Sequence, residues 1–233
     1  MKMDGEAETG AQVIHFRGQV FEPLVSGALF WRSESTLLVA DLHLEKMSSF
    51  ARTGQLLPPY DTGLTLSRLE ADIYATSAKN LIALGDSFHR DEGTSTLLHH
   101  DRARLDRMME QVNWLWLSGN HDPSPHELGG VCLVQQTLCD ITLSHEPSHD
   151  LVGQIAGHLH PAARVSLNGR SVRRPCFVAD DRLMVLPAYG SSTGNLNILS
   201  QAFDGLFQRS QLQVTMMGRD RTYPVSAKRL VMG

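Results

Sequence analysis

Cysteine is scarce in this chain. Its 233 residues include three, Cys132, Cys139 and Cys176, with no CxxC pair and an odd one left over. That count excludes a disulfide framework and fits free thiols in a reducing cytoplasm, each a small apolar filler. Long apolar runs are missing too. None approaches the roughly 18 residues that span a bilayer, so no transmembrane helix is expected. The opening MKMDGEAETGAQ is acidic and polar and lacks the apolar core of a secretory signal. It reads as a flexible tail over residues 1–12, ahead of a single domain over residues 13–233. Basic charge is not in excess: the net charge is −4, so the surface as a whole is no polyanion binder. Any nucleic-acid contact must come from a local patch. There is no internal repeat, no low-complexity tract and no Pro/Gly/Ser-rich linker.

What the chain does hold is a series of short apolar runs, each followed by a polar, glycine-containing turn. The runs at 13–16, 28–32, 36–40, 81–84, 114–117, 131–135, 138–144, 151–156, 176–179 and 183–187 read as strands. Leu66, Leu69 and Ile73 fall at helical spacing in 62–79, as do Leu98, Leu105, Met108, Met109 and Val112 in 95–112. Early alternation of strand and helix, then a strand-rich second half, predicts an α/β architecture built on mixed sheets.

Eleven histidines stand out, and their placement matters more than their number. The run 36–40 ends in Asp41-Leu42-His43. The run 81–84 ends in Gly85-Asp86-Ser87-Phe88-His89, and 114–117 in Gly119-Asn120-His121-Asp122. His145 follows 138–144, and Gly157-His158-Leu159-His160 follows 151–156. Five apolar strands thus deliver Asp, Asn or His at their carboxyl ends, the edge of an α/β sheet where ligands bind. In extended chain, residues i and i+2 share a side, so Asp41 with His43, and His158 with His160, are each expected to grip one ion. Imidazole, carboxylate and amide oxygen together suit Mn, Fe, Co, Ni or Zn rather than a thiolate site. Each block alone is a common turn; the five in this order make a metal site the expectation.

The order DxH, GDxx(D/H), GNH(D/E), a lone His and GHxH resembles the calcineurin-like metallophosphoesterases. The resemblance covers roughly residues 36–160. DLHLEK, FARTGQLLPPYDT, LGDSFHR, AGHLHP and LPAYGSSTGNLN are similar, more narrowly, to the bacterial ligase-associated DNA-damage-response branch of that family. The resemblance implies a four-layer α-β-β-α sandwich of two mixed sheets flanked by helices. It implies two divalent ions, most simply Mn²⁺, that share Asp86. Asp41, His43 and His160 would complete one site, and Asn120, His145 and His158 the other. Two ions roughly 3.5–4 Å apart clamp attacking and leaving oxygens and supply a hydroxide for in-line attack on phosphorus. No GxSxG motif competes as a source of nucleophile.

By the same resemblance, His121 faces the phosphate as general acid or stabilising cation, and His89 contacts substrate phosphate or a ligand. Asp122 either holds the other nitrogen of His121 or caps the turn. For the lone histidine, His145 directly follows its strand, whereas His149 lies beyond a proline, so His145 is taken. Arg52, Arg90, Arg102, Arg104 and the group Arg170, Arg173 and Arg174 could meet phosphate, although charge runs are usually solvated faces; Arg90 and Arg52 lie nearest the motifs. Tyr60 could stack on a base or anchor a loop. His15, His99, His100 and His126 have no motif partners and read as surface or packing residues.

The reading that follows is a phosphodiesterase, a nuclease (endonuclease) acting on single-stranded or damaged DNA in cytoplasmic repair. DNA ligase, helicase and exonuclease partners, and a homo-oligomer, are implied by resemblance alone. The alternative is a small-molecule phosphohydrolase that acts on nucleotides or diphosphates with the same metals. A scaffold that had lost activity would not be expected to keep Asp86, Asn120, His121, His158 and His160 together.

Overall fold

Along Leu37-Leu38-Val39-Ala40, alternate side chains enter different cores. Leu37 and Val39 pack in one apolar cluster, while Leu38 and Ala40 pack in another. That is period-two geometry in a strand buried on both faces, and it fixes the layering of the protein. The computed structural model describes residues 12–51, 60–167 and 169–232.

Among the described residues, seven strands form the first sheet: β1 (Ile14–Phe16), β2 (Gln19–Pro23), β3 (Leu29–Trp31), β4 (Thr36–Val39), β5 (Asn80–Ala83), β6 (Asn113–Leu117) and β7 (Val131–Leu133). The first four pair antiparallel in sequence order, and β4 to β7 run parallel. The parallel half is crossed by α1 (Lys46–Ala51), α2 (Asp61–Thr76), α3 (Gly93–Thr96) and α4 (His99–Gln111). Leu66, Leu69 and Ile73 of α2, with Leu105 and Met108 of α4, cover the face that carries Leu37, Val39, Leu81, Ala83, Trp114 and Trp116.

The second sheet takes β8 (Gln136–Leu138), β9 (Ile141–Leu143), β10 (Gln154–Ala156), β11 (Pro161–Leu167), β12 (Arg170–Ala179), β13 (Leu183–Val185), β14 (Leu196–Asn197), β15 (Gln213–Met217) and β16 (Thr222–Val225). It is mixed as well: β9, β10 and β13 are parallel, and β11 and β12 form an antiparallel hairpin. Phe177 and Ala179 of β12 face the first sheet, against Leu38, Ile82 and Leu84. Cys176 and Val178 face outward onto a third core closed by Ile198, Phe203 and Leu206. The mixed-sheet α/β sandwich expected from the sequence is present, its outermost layer built from short turns rather than long helices. No helix among the described residues is long and apolar enough to cross a membrane.

Two sequence expectations are corrected here. The apolar run 138–144 is two strands, because Cys139 and Asp140 sit at φ 48° and 60° and turn the chain between β8 and β9. The strands β2, β11, β14, β15 and β16 were not anticipated: glutamate, proline, arginine and serine dilute the alternation of β2, β11 and β16, β14 is two residues long, and β15 is a short buried strand, Gln213–Met217, packed in the third core.

Candidate metal centre

Parallel pairing of β4, β5 and β6 brings the carboxyl ends of three strands side by side, and with them Asp41, Asp86 and Asn120. The second sheet faces them with His145 after β9 and His158 after β10, themselves parallel neighbours. Backbone bonds lock the two groups. The Asp41 N–H donates to Gly85 O at 3.2 Å, that of His43 to Asp86 O at 2.9 Å, and that of Gly157 to His145 O at 2.9 Å. Between sheets, the Asp41 carboxylate accepts the His158 N–H at 3.1 and 3.0 Å.

The local backbone differs from the extended chain expected of Asp41-x-His43 and His158-x-His160. These four residues have φ of 55°, 43°, 69° and 44°, and Asp86 has 49°. Left-handed backbone is tolerated best by Asp, Asn and His among non-glycine residues, yet it still costs on the order of 1 kcal/mol each. Five such residues in one cleft are strain held by the surrounding fold, the kind of strain that collects at functional sites. The turns also part the histidines. His160 joins Asp41 and His43, whereas His158 joins Asp86 and His145, so His158 and His160 do not grip the same point.

Donor atoms crowd around two points. At the first, His160 Nε2 lies 3.3 Å from Asp41 Oδ1 and 3.4 Å from His43 Nε2. At the second, Asn120 Oδ1 is 2.9 Å from both His145 Nε2 and His158 Nδ1, and the two ring nitrogens are 3.2 Å apart. Asp86 reaches both, with Oδ1 3.3 Å from His145 Nε2 and Oδ2 3.8 Å from His43 Nε2. One proton can satisfy a single contact in each knot, while a divalent cation satisfies every donor; the residues fit bound metal. The orienting partners are backbone carbonyls: His145 Nδ1 meets Leu84 O at 2.9 Å, and His160 Nδ1 meets Gly194 O at 3.1 Å. Such partners fix which ring nitrogen faces the ion.

Charge in the cleft follows from burial and neighbours. Burial opposes charging His145, but its bond to Asp86 and the nearby Asp41 carboxylate win and lift its pKa to about 9. Burial likewise works against the Asp86 anion, yet His145 and the His121 N–H hold its pKa down to about 2. Burial drives His43 down to about 3, leaving it a neutral donor. An ion held by Asn120, His145, His158 and Asp86 would take the place of the proton on His145, so its uptake would release that proton.

Around the knots, His121 stacks on His89 with ring centres 5.2 Å apart and an interplanar angle of 20°, and both rings lie edge-on to His43. The His121 side chain is 42% exposed and its Nε2 is 3.9 Å from Asp86 Oδ2. Asp122 takes the turn-capping role among its two alternatives. Its buried carboxylate accepts the Phe88 N–H at 3.0 Å and the Gly119 N–H at 3.1 Å, tying the GNHD turn to the GDSFH turn, and burial raises its pKa to about 6. Replacing Asp122 with alanine strands two backbone donors, so a loss of roughly 1–3 kcal/mol is expected in thermal unfolding. Unchanged melting would show that the turns hold without it. Arg90 is half-buried beside His89, whereas Arg52 lies outside the described residues. His15, His99 and His100 are exposed, and His126 packs on Trp116 and Phe88, as expected. Sequence reasoning missed the loop after β13: the Tyr189 N–H donates to Ala40 O at 2.8 Å and the Gly190 N–H to Asp41 O at 3.0 Å, buttressing the first ligand turn.

Two facing sheets that empty Asp, His and Asn donors into one cleft form a calcineurin-like sandwich, and the chain is a metal-dependent phosphoesterase. Over 93% of its length it is similar to the whole of the Pseudomonas putida nuclease MPE, at 28% identity and a TM-score of 0.70. It is also similar to Yfce, a phosphoesterase from E. coli, at 12% identity over 84% of this chain and 96% of that one, with a TM-score of 0.35. No protein-family model matches the chain, and no curated protein sequence does.

Proposed function

We propose that the protein is a dinuclear-metal phosphodiesterase that cleaves DNA, within a single domain over residues 13–233. The observation that carries this reading is the position of Asp86, whose two carboxylate oxygens address the two donor groups separately. Asp41, His43 and His160 would hold one ion and Asn120, His145 and His158 the other, with Asp86 between them. Such a pair supplies charge neutralisation and an activated water for displacement at phosphorus, with Mn²⁺ the leading candidate for these ligands.

The protein's own groups do the rest. His121 projects from the cleft floor into solvent range while its backbone N–H donates to Asp86 Oδ1 at 2.9 Å, so ring and ligand are placed by one turn. From there its ring nitrogen delivers a proton to the leaving oxygen, and the stacked His89 keeps the ring in place. Arg90, half-buried beside His89, is proposed as a phosphate contact. The nuclease reading draws support from the similarity to MPE; small nucleotides and diphosphates are the competing substrates.

The test is Mn²⁺-dependent cutting of a labelled single strand beside bis-p-nitrophenyl phosphate, at two salt concentrations. Wild type is expected to cut the strand less at higher salt, and His121→Ala to lose about 10²–10⁴-fold in rate. Hydrolysis of the small diester alone would move the protein to the small-molecule reading.

A further inference from the structure

Residues 161–175, PAARVSLNGRSVRRP, carry four arginines and no acid in a chain whose net charge is −4. They form the β11–β12 hairpin, which begins one residue after the ligand His160. The register sets Arg164 directly opposite Arg173, and Ser166 opposite Ser171. Directly opposed residues share a face, so Arg164, Arg173, Ser166 and Ser171 line one side, while Val165 packs on the third core. Among the described residues none of the four arginines makes an ion pair; the arginine pairs are elsewhere, at Arg32, Arg102 and Arg104. Like charges opposed across a ribbon with no acid between them cost stability. A local rule broken without internal compensation marks a function, and here the missing partner is an anion.

The face connects to the metal centre. Arg173 Nη2 donates to Asn195 O at 2.6 Å, next to Gly194, whose carbonyl meets His160 Nδ1 at 3.1 Å. The Leu196 N–H returns to His160 O at 2.9 Å. Arg164 lies four residues from His160, about 13 Å along a strand. Same-face residues of a strand recur about every 6.6 Å, a step comparable with the repeat of an extended sugar–phosphate chain.

Resting on the reading of the site as a nuclease, we propose that the Arg164/Arg173 face of this hairpin is a track that carries the phosphates of a nucleic-acid single strand away from the scissile bond. A two-stranded ribbon is narrow and twisted, which a flexible strand can follow and a stiff duplex touches only in passing. Guanidinium groups bind phosphate by paired N–H donors, and the serine hydroxyls add weaker ones.

The experiment measures binding of a labelled single strand of about 20 nucleotides to the full chain loaded with Ca²⁺, across roughly 50 to 200 mM salt. Against wild type, Arg164→Gln/Arg173→Gln is expected to bind about tenfold more weakly. The slope of log affinity on log salt should fall by about 1.4, which is about 0.7 for each of two phosphates. Arg164→Lys/Arg173→Lys keeps the charge and should keep most of the slope. Arg107→Gln removes an exposed charge from α4, in the helical layer across the first sheet, and should change neither quantity. If wild type binds with a steep slope and the double glutamine variant matches it, the track is wrong and the nuclease reading stands. If wild type hydrolyses bis-p-nitrophenyl phosphate with Mn²⁺ but binds no strand at low salt, both fall together. Stronger binding of a duplex than of the single strand would also overturn the track.

Discussion

On the proposed dinuclear reading, Asp86→Ala is expected to reduce bound metal from two equivalents to below one and to remove phosphodiester hydrolysis. The carboxylate is 3% exposed and stands within 3.3 to 3.9 Å of ring nitrogens from His145, His43 and His121. Its Oδ1 addresses the His145 group and its Oδ2 the His43 group, so its loss opens both. Metal clamps contribute several kcal/mol of charge stabilisation, which converts to a rate loss of roughly 10³-fold or more. His158→Ala is the informative contrast, because it removes a donor from the Asn120 group alone and leaves Asp41, His43 and His160 intact. That variant should keep close to one equivalent. The check is elemental analysis of dialysed protein together with the rate on bis-p-nitrophenyl phosphate. Two equivalents retained in Asp86→Ala would defeat the shared-ligand assignment.

The convergence of these side chains was legible in the sequence because each follows an apolar run, and parallel strands align such ends without further information. Asp41 and His160 therefore come together in one group, and Asp86, Asn120, His145 and His158 in the other. The two-faced burial of 36–40 and the helical spacing of Leu66, Leu69 and Ile73 were equally plain. The path by which Asp41 and His43 converge was not. The same DLH string suits an extended strand end, and only the tertiary contacts from Gly85, Asp86 and Gly190 reveal that its backbone is left-handed. The groups that orient the histidines were invisible for a different reason. Leu84 and Gly194 act through main-chain carbonyls, which every residue has, so no side-chain signal marks them. The arginines at 170, 173 and 174 were visible as a basic group, but the ribbon that carries them was not, because its strands are half-exposed and their alternation pairs arginine with valine and serine. Opposing Arg164 to Arg173 requires the register of β11 on β12, which pattern alone does not give.

Gly119→Ala should inactivate the protein by a route that involves no functional group. A Cβ at 119 would stand 2.2 Å from both the backbone nitrogen and Oδ1 of Asp86, and 2.7 Å from Asp122 Oδ1. None of these atoms is the end of a flexible chain. Asp86 is fixed by the His121 N–H on one side and its strand on the other, and Asp122 by Phe88 and Gly119 itself. The GNHD turn must therefore retreat and take Asn120 and His121 with it. Overpacking of this kind costs about 1–3 kcal/mol in stability. A ligand displaced by about 1 Å costs about 10²-fold in rate, so activity should fall further than stability. Gly194→Ala gives the control in the same cleft: a Cβ there meets nothing within 4 Å, although the Gly194 carbonyl orients His160. Melting temperature, metal content and hydrolysis rate are measured on both variants. If Gly119→Ala keeps wild-type rate and two metal equivalents, the close approach of the GNHD and GDSFH turns is not what sets the metal geometry.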